Sequence, residues 1–302
     1  VIAKEFSLGS MDGFQFNISV GYDLEGIKSE KIDNFLNTMQ HAQDADIFRT
    51  CREYLLAHTD LFEHVTKEDI ESISGDICNS VTISTLHGCP PQEIERIAMY
   101  LITEKGFHTF IKCNPTLLGY EYARKMMDDM GYDYVAFGDF HFKDDLQYED
   151  AVPMLTRLMK VCEERNLEFG VKITNTFPVD VKQNELPSEE MYMSGKSLYP
   201  LSISVAAKLA KDFGGKLRIS YSGGADFHNI KDIVEAGIWP VTVATTLLKP
   251  GGYDRMSQMA SLLEKEGAVF AGVDADAVSR LVEEAKTDPH HVKAVKPLPS
   301  RK

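Results

Sequence analysis

Two lysines lie inside runs that otherwise predict buried strands, namely Lys112 in TFIKCNP and Lys172 in FGVKITNT. Burying an ammonium group is costly unless the group is paired or used. Such a lysine can lose its proton and form a Schiff base, or it can keep its charge and hold an electron-rich ligand. An ion pair with a carboxylate is the structural alternative. The two lysines are therefore candidate functional residues.

Small residues follow the last two predicted strands. Gly223 and Gly224 end the run LRISYSGG, and Ala244 and Thr245 lie near the end of PVTVATT. Glycine lets backbone N–H groups approach an anion closely, and a helix N terminus adds partial positive charge. Many (β/α)₈ barrels bind phosphate with the loops after their last two strands. The pattern predicts a phosphate site, with a plain turn as the alternative.

Asparagine occurs within or at the end of three predicted strands, at Asn17, Asn114 and Asn175. Strands disfavour asparagine, so its presence there needs a reason. A side-chain amide both donates to and accepts from the edge of a heterocycle. The three asparagines therefore predict contacts with a flavin or a ring-shaped substrate.

The run STLHGCPP places His87 and Cys89 after a strand and before a helix that opens with proline. A cysteine near a helix N terminus has its thiolate favoured, so Cys89 is a candidate acid or nucleophile, and His87 is a candidate acid. A tight turn with a half-buried cysteine is the alternative. The histidines near the C terminus, His290 and His291, are expected to be solvated.

Seven short apolar runs alternate with helical patterns along the chain. This alternation predicts an α/β fold with a parallel sheet. A (β/α)₈ TIM barrel fits best, since no GxGxxG follows a strand as a doubly wound sheet would favour. The runs are FQFNISVGY (14–22), SVTISTLHG (80–88), TFIKCNP (109–115), YDYVAFGDF (132–140), FGVKITNT (169–176), LRISYSGG (217–224) and PVTVATT (240–246).

The remaining segments divide the chain further. The barrel is assigned to residues 1–256, with a polar helical insert at 23–79 and a long loop at 177–200. Residues 257–302 are assigned to C-terminal helices and a linker. Long loops in a compact domain are often lids or binding loops.

Composition excludes several classes of function. The formal charge is −14, which argues against a nucleic-acid partner or an anionic membrane surface. No apolar run is long enough to cross a membrane, and the five cysteines show no CxxC spacing. We therefore expect a cytoplasmic protein without a disulfide framework or a metal site in this segment.

Long segments of the chain resemble the N-terminal region of the selenate reductase iron–sulfur subunit family, which consists of multidomain flavoproteins. That region is in turn similar to the FMN-binding barrel of dihydroorotate and dihydropyrimidine dehydrogenases. The segments that carry the resemblance are FNISVGYDLEGIK, SVTISTLHGCPPQEIERIA, FIKCNPTLLGY, FGVKITNTFP, EEMYMSGKSLYPLSISVAAKL, LRISYSGGA and ATTLLKPGGY.

The resemblance implies that FMN is the cofactor and assigns roles to individual residues. Lys112 would contact the isoalloxazine, and Asn175 and Thr176 would face the flavin or the substrate. The ribityl phosphate would be held by Gly195, Gly223, Gly224, Ala244 and Thr245. Lys172 is a second candidate for stabilising negative charge on the reduced flavin.

The sequence also departs from those dehydrogenases. They carry their catalytic cysteine or serine in an Asn-x-Ser-Cys-Pro type segment, whereas this chain has ISTLHGCPP around Cys89. The first two strands of their barrel have no counterpart before FQFNISVGY, so the barrel is expected to be incomplete at its N terminus. The iron–sulfur, FAD and NAD(P)H segments of the family are expected outside this chain.

Three functions follow from these patterns. The first is part of an iron–sulfur flavoprotein oxidoreductase that acts on a small, heterocyclic substrate and exchanges electrons with further domains of a longer polypeptide. The second is a degenerate barrel that serves as a non-catalytic scaffold for those domains. The third is a phosphate-binding lyase that uses Lys112 or Lys172 as a Schiff base. The sequence leaves a homo-oligomer open and does not identify the substrate.

Overall fold

The computed structural model describes residues 1–10, 15–84, 87–264 and 269–292. Its centre is a parallel five-stranded sheet with the order β1-β2-β3-β4-β7. An antiparallel hairpin, β5 and β6, lies between β4 and β7 in the chain. The strands are β1 (Ile18–Val20), β2 (Ser80–Ile83), β3 (His108–Cys113), β4 (Phe169–Ile173), β5 (Phe177–Asp180), β6 (Glu190–Met193) and β7 (Arg218–Tyr221).

Helices occupy the connections between these strands. One helix, α6, joins β2 to β3, and α10 leads into β7. The helices are α1 (Ile2–Glu5), α2 (Leu24–Ile27), α3 (Glu30–Gln40), α4 (Asp46–Ala57), α5 (Lys67–Glu71), α6 (Pro91–Thr103), α7 (Tyr120–Asp129), α8 (Phe140–Asp144), α9 (Tyr148–Glu164), α10 (Tyr199–Asp212), α11 (Ile230–Glu235), α12 (Gly252–Leu263) and α13 (Ala275–Ala285).

The strand order is sequential, which is the order of a barrel wall. A doubly wound sheet reverses its order at a switch point, and no reversal occurs among the described strands. After β7, the next segment joins by one parallel bridge between Tyr221 and Val241. The Tyr221 N–H donates to Pro240 O at 2.9 Å, and the Thr242 N–H donates to Tyr221 O at 2.8 Å. The predicted α/β architecture with a parallel sheet is confirmed.

Side chains alternate between the two faces of β3 and β4, as the pleat requires. Ile111 and Val171 are fully buried in the main hydrophobic core. Lys112 and Lys172 lie on the opposite face, half-buried, and are direct partners in the strand register. Gly170 lies on the same face, two residues before Lys172. A side chain does not fit there, because a Cβ would lie 2.6 Å from the Phe110 ring. The register therefore brings two ammonium groups side by side.

Helix α6 shows why this sequence forms the outer layer. Pro91 occupies the first turn, where its missing N–H costs nothing. Ile94, Ile97 and Leu101 recur at helical spacing and are almost completely buried. Helix α10 is buried around most of its circumference and packs between the sheet and α13.

One predicted strand is wrong. Most of YDYVAFGDF (132–140) forms an irregular connection between α7 and α8, and its last residue, Phe140, begins α8. Its apolar residues fill an aromatic cluster instead of a sheet position. Phe137 packs edge-on against Tyr120 and Phe177, with ring centroids 5.9 and 4.8 Å apart. Alternating aromatic residues thus imitated a strand pattern.

Three further predictions need correction in extent. PVTVATT (240–246) contributes the single bridge at Val241 instead of a full strand. FQFNISVGY (14–22) forms a strand only at 18–20, and Phe14 lies outside the described residues. The expected loop at 177–200 contains the β5–β6 hairpin and the start of α10. The tail KPLPSRK, assigned as a linker, also lies outside the described residues.

In the described part of the chain, no helix has the length and apolar character needed to cross a membrane.

We predict that Leu101→Ala lowers the free energy of unfolding by about 2–5 kcal/mol, because Leu101 is fully buried and its truncation leaves a cavity. Urea unfolding monitored by circular dichroism measures the change. Leu61→Ala is the matched control, since Leu61 is 65 % exposed and should change stability by less than about 0.5 kcal/mol. Equal effects of the two variants would contradict the assigned core.

Candidate functional site

A cavity of about 290 Å³ opens at the carboxyl ends of the strands. Segments distant in sequence line it: β3, the end of β4, the stretch after β6, the loop after β7, residues 242–255, and His290 after α13. This position is where barrel enzymes bind their ligands. The predicted residues that line the cavity are Lys112, Thr176, Gly195, Gly223, Gly224, Ala244 and Thr245.

The glycines of this cavity allow contacts that side chains would prevent. A Cβ on Gly224, whose φ is +78°, would lie 2.2 Å from the carbonyl oxygen of Gly195. A Cβ on Gly223 would lie 2.1 Å from Ser202 Oγ, and one on Gly195 would lie 3.2 Å from Thr245 Cγ2. Three loops predicted separately therefore meet at one place.

The cavity offers donors and positive charge to an anion. The backbone N–H groups of Gly223, Gly224, Ala244 and Thr245 donate to no acceptor among the described residues. Lys196, Lys249 and Arg255 also line the cavity, and none of them has an acidic partner in the described part of the chain. Free amides and unpaired cations together are the features that favour anion binding. This local positive charge contrasts with the formal charge of the whole protein, which is −14.

The two strand lysines stand next to this cavity without counter-ions. Burial lowers the pKa of Lys112, and burial followed by the charge of Lys112 lowers the pKa of Lys172. Within the described residues neither ammonium group has a carboxylate partner, so the ion-pair interpretation is wrong. Two neighbouring, half-buried cations favour a ligand that carries negative charge between them.

A second group of polar residues surrounds His87 at the ends of β2 and β3. Both carboxylate oxygens of Asp145 lie within 3.0 Å of His87 Nδ1. The Asp145 side chain is 1 % exposed, and the His87 side chain is 23 % exposed. The contact with Asp145 raises the pKa of His87 against the opposing effect of burial. A buried carboxylate at Nδ1 leaves Nε2 as the nitrogen that can exchange a proton.

Asp145 itself is held by four donors. Besides His87, it accepts hydrogen bonds from Gly88 N at 3.1 Å, Asn114 Nδ2 at 3.0 Å and Thr116 Oγ1 at 2.7 Å. Burial tends to raise the pKa of Asp145, but the bonds from His87 and Thr116 prevail and the pKa is lowered. Asn175 Nδ2 donates to Asn114 Oδ1 at 2.6 Å and links this network to the end of β4.

The β5–β6 hairpin contributes to this second group. His141 Nε2 lies 2.7 Å from Glu190 Oε1 on β6, and the Tyr192 ring stacks above His87 at 6.4 Å between centroids. The His87 and His141 rings are 5.1 Å apart. His87, His141 and Asp145 offer ligand atoms within 4.8 Å of one another, but the donors already occupy the oxygens of Asp145. The hydrogen bonds that Asp145 accepts make a histidine–aspartate pair the principal contact of this group.

Cys89 does not have the expected reactive thiolate. Burial raises the pKa of its thiol, and the charges of Glu93 and Asp23 raise it further. No cation or histidine among the described residues bonds to its sulfur, whose nearest acceptor is Pro90 O at 4.0 Å. Burial, and to a lesser extent the nearby carboxylates, therefore opposes the thiolate that the helix start was expected to favour.

Asn17 also lies away from the site. It precedes the first residue of β1 and bonds through Oδ1 to Ser80, the first residue of β2. That position is the amino end of the strands, opposite to Lys112 and the cavity. Asn17 is thus corrected to a residue that ties two strand starts together, while Asn114 and Asn175 do reach the carboxyl edge.

Several site residues were missed from the sequence. His141 lies in the short helix α8 and Asp145 caps its end, in a stretch that carries no recognisable motif. Lys249 and Arg255 follow a predicted phosphate loop closely enough that the loop itself could have indicated them. His291 was expected to be solvated, but it is 2 % exposed and stacks on Tyr199 at 4.4 Å.

Comparison with known proteins agrees with this geometry. Residues 1–293 match the family model described as oxidoreductase YgfK, N-terminal TIM-barrel domain. The chain belongs to this family. The match covers the sheet, the cavity and the His87 group, so the fold is a TIM barrel of the YgfK N-terminal type.

Two curated relatives come from Escherichia coli K12 and O157:H7, and both bear the provisional name oxidoreductase YgfK. Each is 46 % identical over 298 residues, which is 94 % of this chain and 29 % of the relative. The chain therefore spans less than a third of their length. Solved structures of dihydroorotate dehydrogenase (DHODH) from Eimeria tenella are also similar. The structure in complex with ferulenol is 16 % identical, with a TM-score of 0.37, and the match covers 67 % of this chain and 54 % of that one. The ligand-free structure is 14 % identical, with a TM-score of 0.33, and the match covers 76 % of this chain and 68 % of that one.

We predict that His87→Gln reduces stability most between about pH 4 and pH 6.5, the ordinary pKa values of aspartate and histidine. The raised pKa of His87 makes its contribution complete below its ordinary pKa and lost as the pH rises through the folded value. The lowered pKa of Asp145 makes its contribution fade only under more acidic conditions.

Urea unfolding across this pH range measures the difference from the wild type. His58→Gln is the control, because His58 belongs to an exposed helix end. A loss that is the same at every pH would show that His87 contributes packing and not charge.

Proposed function

We propose that this chain is the FMN-binding barrel of a multidomain oxidoreductase that acts on a small heterocyclic substrate. The observation that carries the proposal is the cavity between Gly195, Gly224 and Thr245, with its free amides and three unpaired cations. Binding of a phosphate monoester satisfies the donors and offsets the charges. Gly224 and Thr245 would hold the phosphate through N–H groups, and Lys196, Lys249 and Arg255 would neutralise it.

The adjoining lysines fit the ring end of the same cofactor. Flavin, when bound, supplies hydride transfer. Lys112 lines the cavity and Lys172 is its register partner, so both would stand near the electron-rich edge of the ring. Their unpaired charges would stabilise negative charge there. Asn175 and Thr176 follow the same strand and would face the flavin or the substrate.

His87 is the better candidate for proton exchange than Cys89. Its imidazole is oriented by Asp145 and is partly exposed, whereas the Cys89 thiol is disfavoured as a thiolate. Asn114 bonds to both Asp145 and Asn175, which supports a position for His87 close to the β4 end. His87 would thus donate or accept the proton that accompanies hydride transfer. The electrons would pass to iron–sulfur, FAD and NAD(P)H domains in the remainder of a longer polypeptide.

A lyase is the second candidate, because the lowered pKa of Lys112 makes its amine more nucleophilic. Borohydride reduction in the presence of a carbonyl compound would attach that compound to Lys112 irreversibly. Mass spectrometry of the digested protein would locate the adduct. No observation on the described residues favours the scaffold hypothesis specifically.

We predict that the purified chain binds FMN with one-to-one stoichiometry, seen as quenching of flavin fluorescence. Gly224→Ala should weaken binding at least tenfold, because its Cβ would collide with the carbonyl of Gly195. Gly138→Ala is the matched control, since a Cβ there has open space. A thermal melt checks that both variants fold. Absence of FMN binding by the folded wild type would reject the flavin proposal.

We also predict that Lys112→Met makes the midpoint potential of bound FMN more negative, on the order of 30 mV. Loss of the Lys112 charge removes stabilisation of the reduced, more negative state. Spectroelectrochemical titration measures the potential. Lys125→Met on α7, whose side chain is 75 % exposed, should leave it unchanged. An unchanged potential in Lys112→Met would place the lysine away from the flavin.

A further inference from the structure

The segment after α13 reaches back to the cavity and bonds to two of its loops. His290 Nε2 lies 2.6 Å from Asp226 Oδ2, in the loop after β7. His291 Nδ1 lies 3.2 Å from the carbonyl oxygen of Lys196, next to Gly195. We call His290 and His291 the histidine clasp. It joins positions that are 64 and 95 residues apart in the sequence.

His291 is the anchor of the clasp. Its ring stacks on Tyr199 at 4.4 Å with an interplanar angle of 22°, and its carbonyl accepts a hydrogen bond from Tyr132 Oη at 2.6 Å. The residue is 2 % exposed. This fixed anchor sets the position of the neighbouring His290, whose side chain lines the cavity.

Asp226 poses an electrostatic problem for the cavity. Of the described residues that line it, Asp226 is the only acidic one. Its carboxylate is 18 % exposed, so water screens it incompletely. An unpaired carboxylate there would repel a phosphate dianion held by Gly224 and Thr245. His290 Nε2 lies 2.6 Å from this carboxylate, close enough to offset its charge.

We propose that the histidine clasp adapts the cavity to a phosphate dianion, with His290 neutralising Asp226. His290 is in this sense a positioning residue that acts through Asp226. The inference rests on the proposed anion site, and it extends that site to residues that neither the motif nor the resemblance indicated. Binding of the phosphate group should therefore depend on His290, whereas binding of the flavin ring should not.

The charged surroundings of His290 support this assignment. Asp226 faces it from the β7 loop, and the His228 ring lies 4.2 Å from its own. From its own segment, the His291 ring lies at 4.9 Å, and Asp288 Oδ1 accepts the backbone N–H of His290. Among these groups, Asp226 is thus the acidic side chain in direct contact with the imidazole.

The test compares FMN with riboflavin, which has the same ring but no phosphate. His290→Gln should weaken FMN binding about tenfold and leave riboflavin binding unchanged, because only FMN carries the phosphate. Glutamine can still bond to Asp226 but carries no charge. The double variant His290→Gln with Asp226→Asn should recover wild-type affinity for FMN. His58→Gln is the control, and fluorescence quenching gives each affinity.

Equal loss of FMN and riboflavin in His290→Gln would overturn the proposal, because it would indicate a structural role. Failure of the double variant to recover would equally overturn it, since neutralisation of Asp226 would then not be the cause.

Inorganic phosphate provides an arm that does not depend on flavin. It should raise the unfolding temperature of the wild type and of the double variant more than that of His290→Gln. If neither flavin binds but phosphate gives this order, the flavin proposal fails and the clasp proposal stands. If phosphate raises the unfolding temperature of the three proteins equally, or of none, the clasp proposal fails.

Discussion

The parallel register of β3 and β4 is the constraint on which the site depends. It places Lys112 directly beside Lys172 on the face away from the packed core. Like charges on neighbouring strands repel each other, and partial burial removes water that would screen this repulsion. The protein retains this arrangement without a described carboxylate partner for either lysine. The neighbouring cavity adds free N–H groups and further cations, so positive charge is concentrated on this side of the sheet.

Asp145, unlike the two lysines, is a buried charge with hydrogen-bond partners. It is a buried carboxylate, but four donors surround it, so its charge is stabilised inside the protein. Its donors come from the end of β2, the end of β3 and the short turn that follows β3. One side chain therefore fixes His87 and also connects two adjacent strand ends. The cavity is lined by cations without described acidic partners, whereas the charge of Asp145 is paired within its own network.

The sequence predicts these features unequally. Gly223, Gly224 and Lys112 line one cavity, and their local patterns indicate this position because the place of each strand end in a barrel follows from chain order. The role of Asp145 could not be predicted, because its partners come from residues 29 to 58 positions away. The aromatic run around Phe137 misled the strand assignment, since a local alternation cannot distinguish a sheet from a cluster of rings. Asn17 misled the site assignment, because the residue type did not reveal which end of β1 it occupied.

The β5–β6 hairpin is tied to both halves of the site. Its strand β6 ends at Met193, and only Ser194 separates that strand from Gly195. Glu190 at one end of β6 contacts His141, while Gly195 beyond the other end touches Gly224. A stretch of six residues thus spans from the histidine side to the cavity wall. Because these six residues form one continuous segment, a substitution that shifts β6 would also shift Gly195 at the cavity wall.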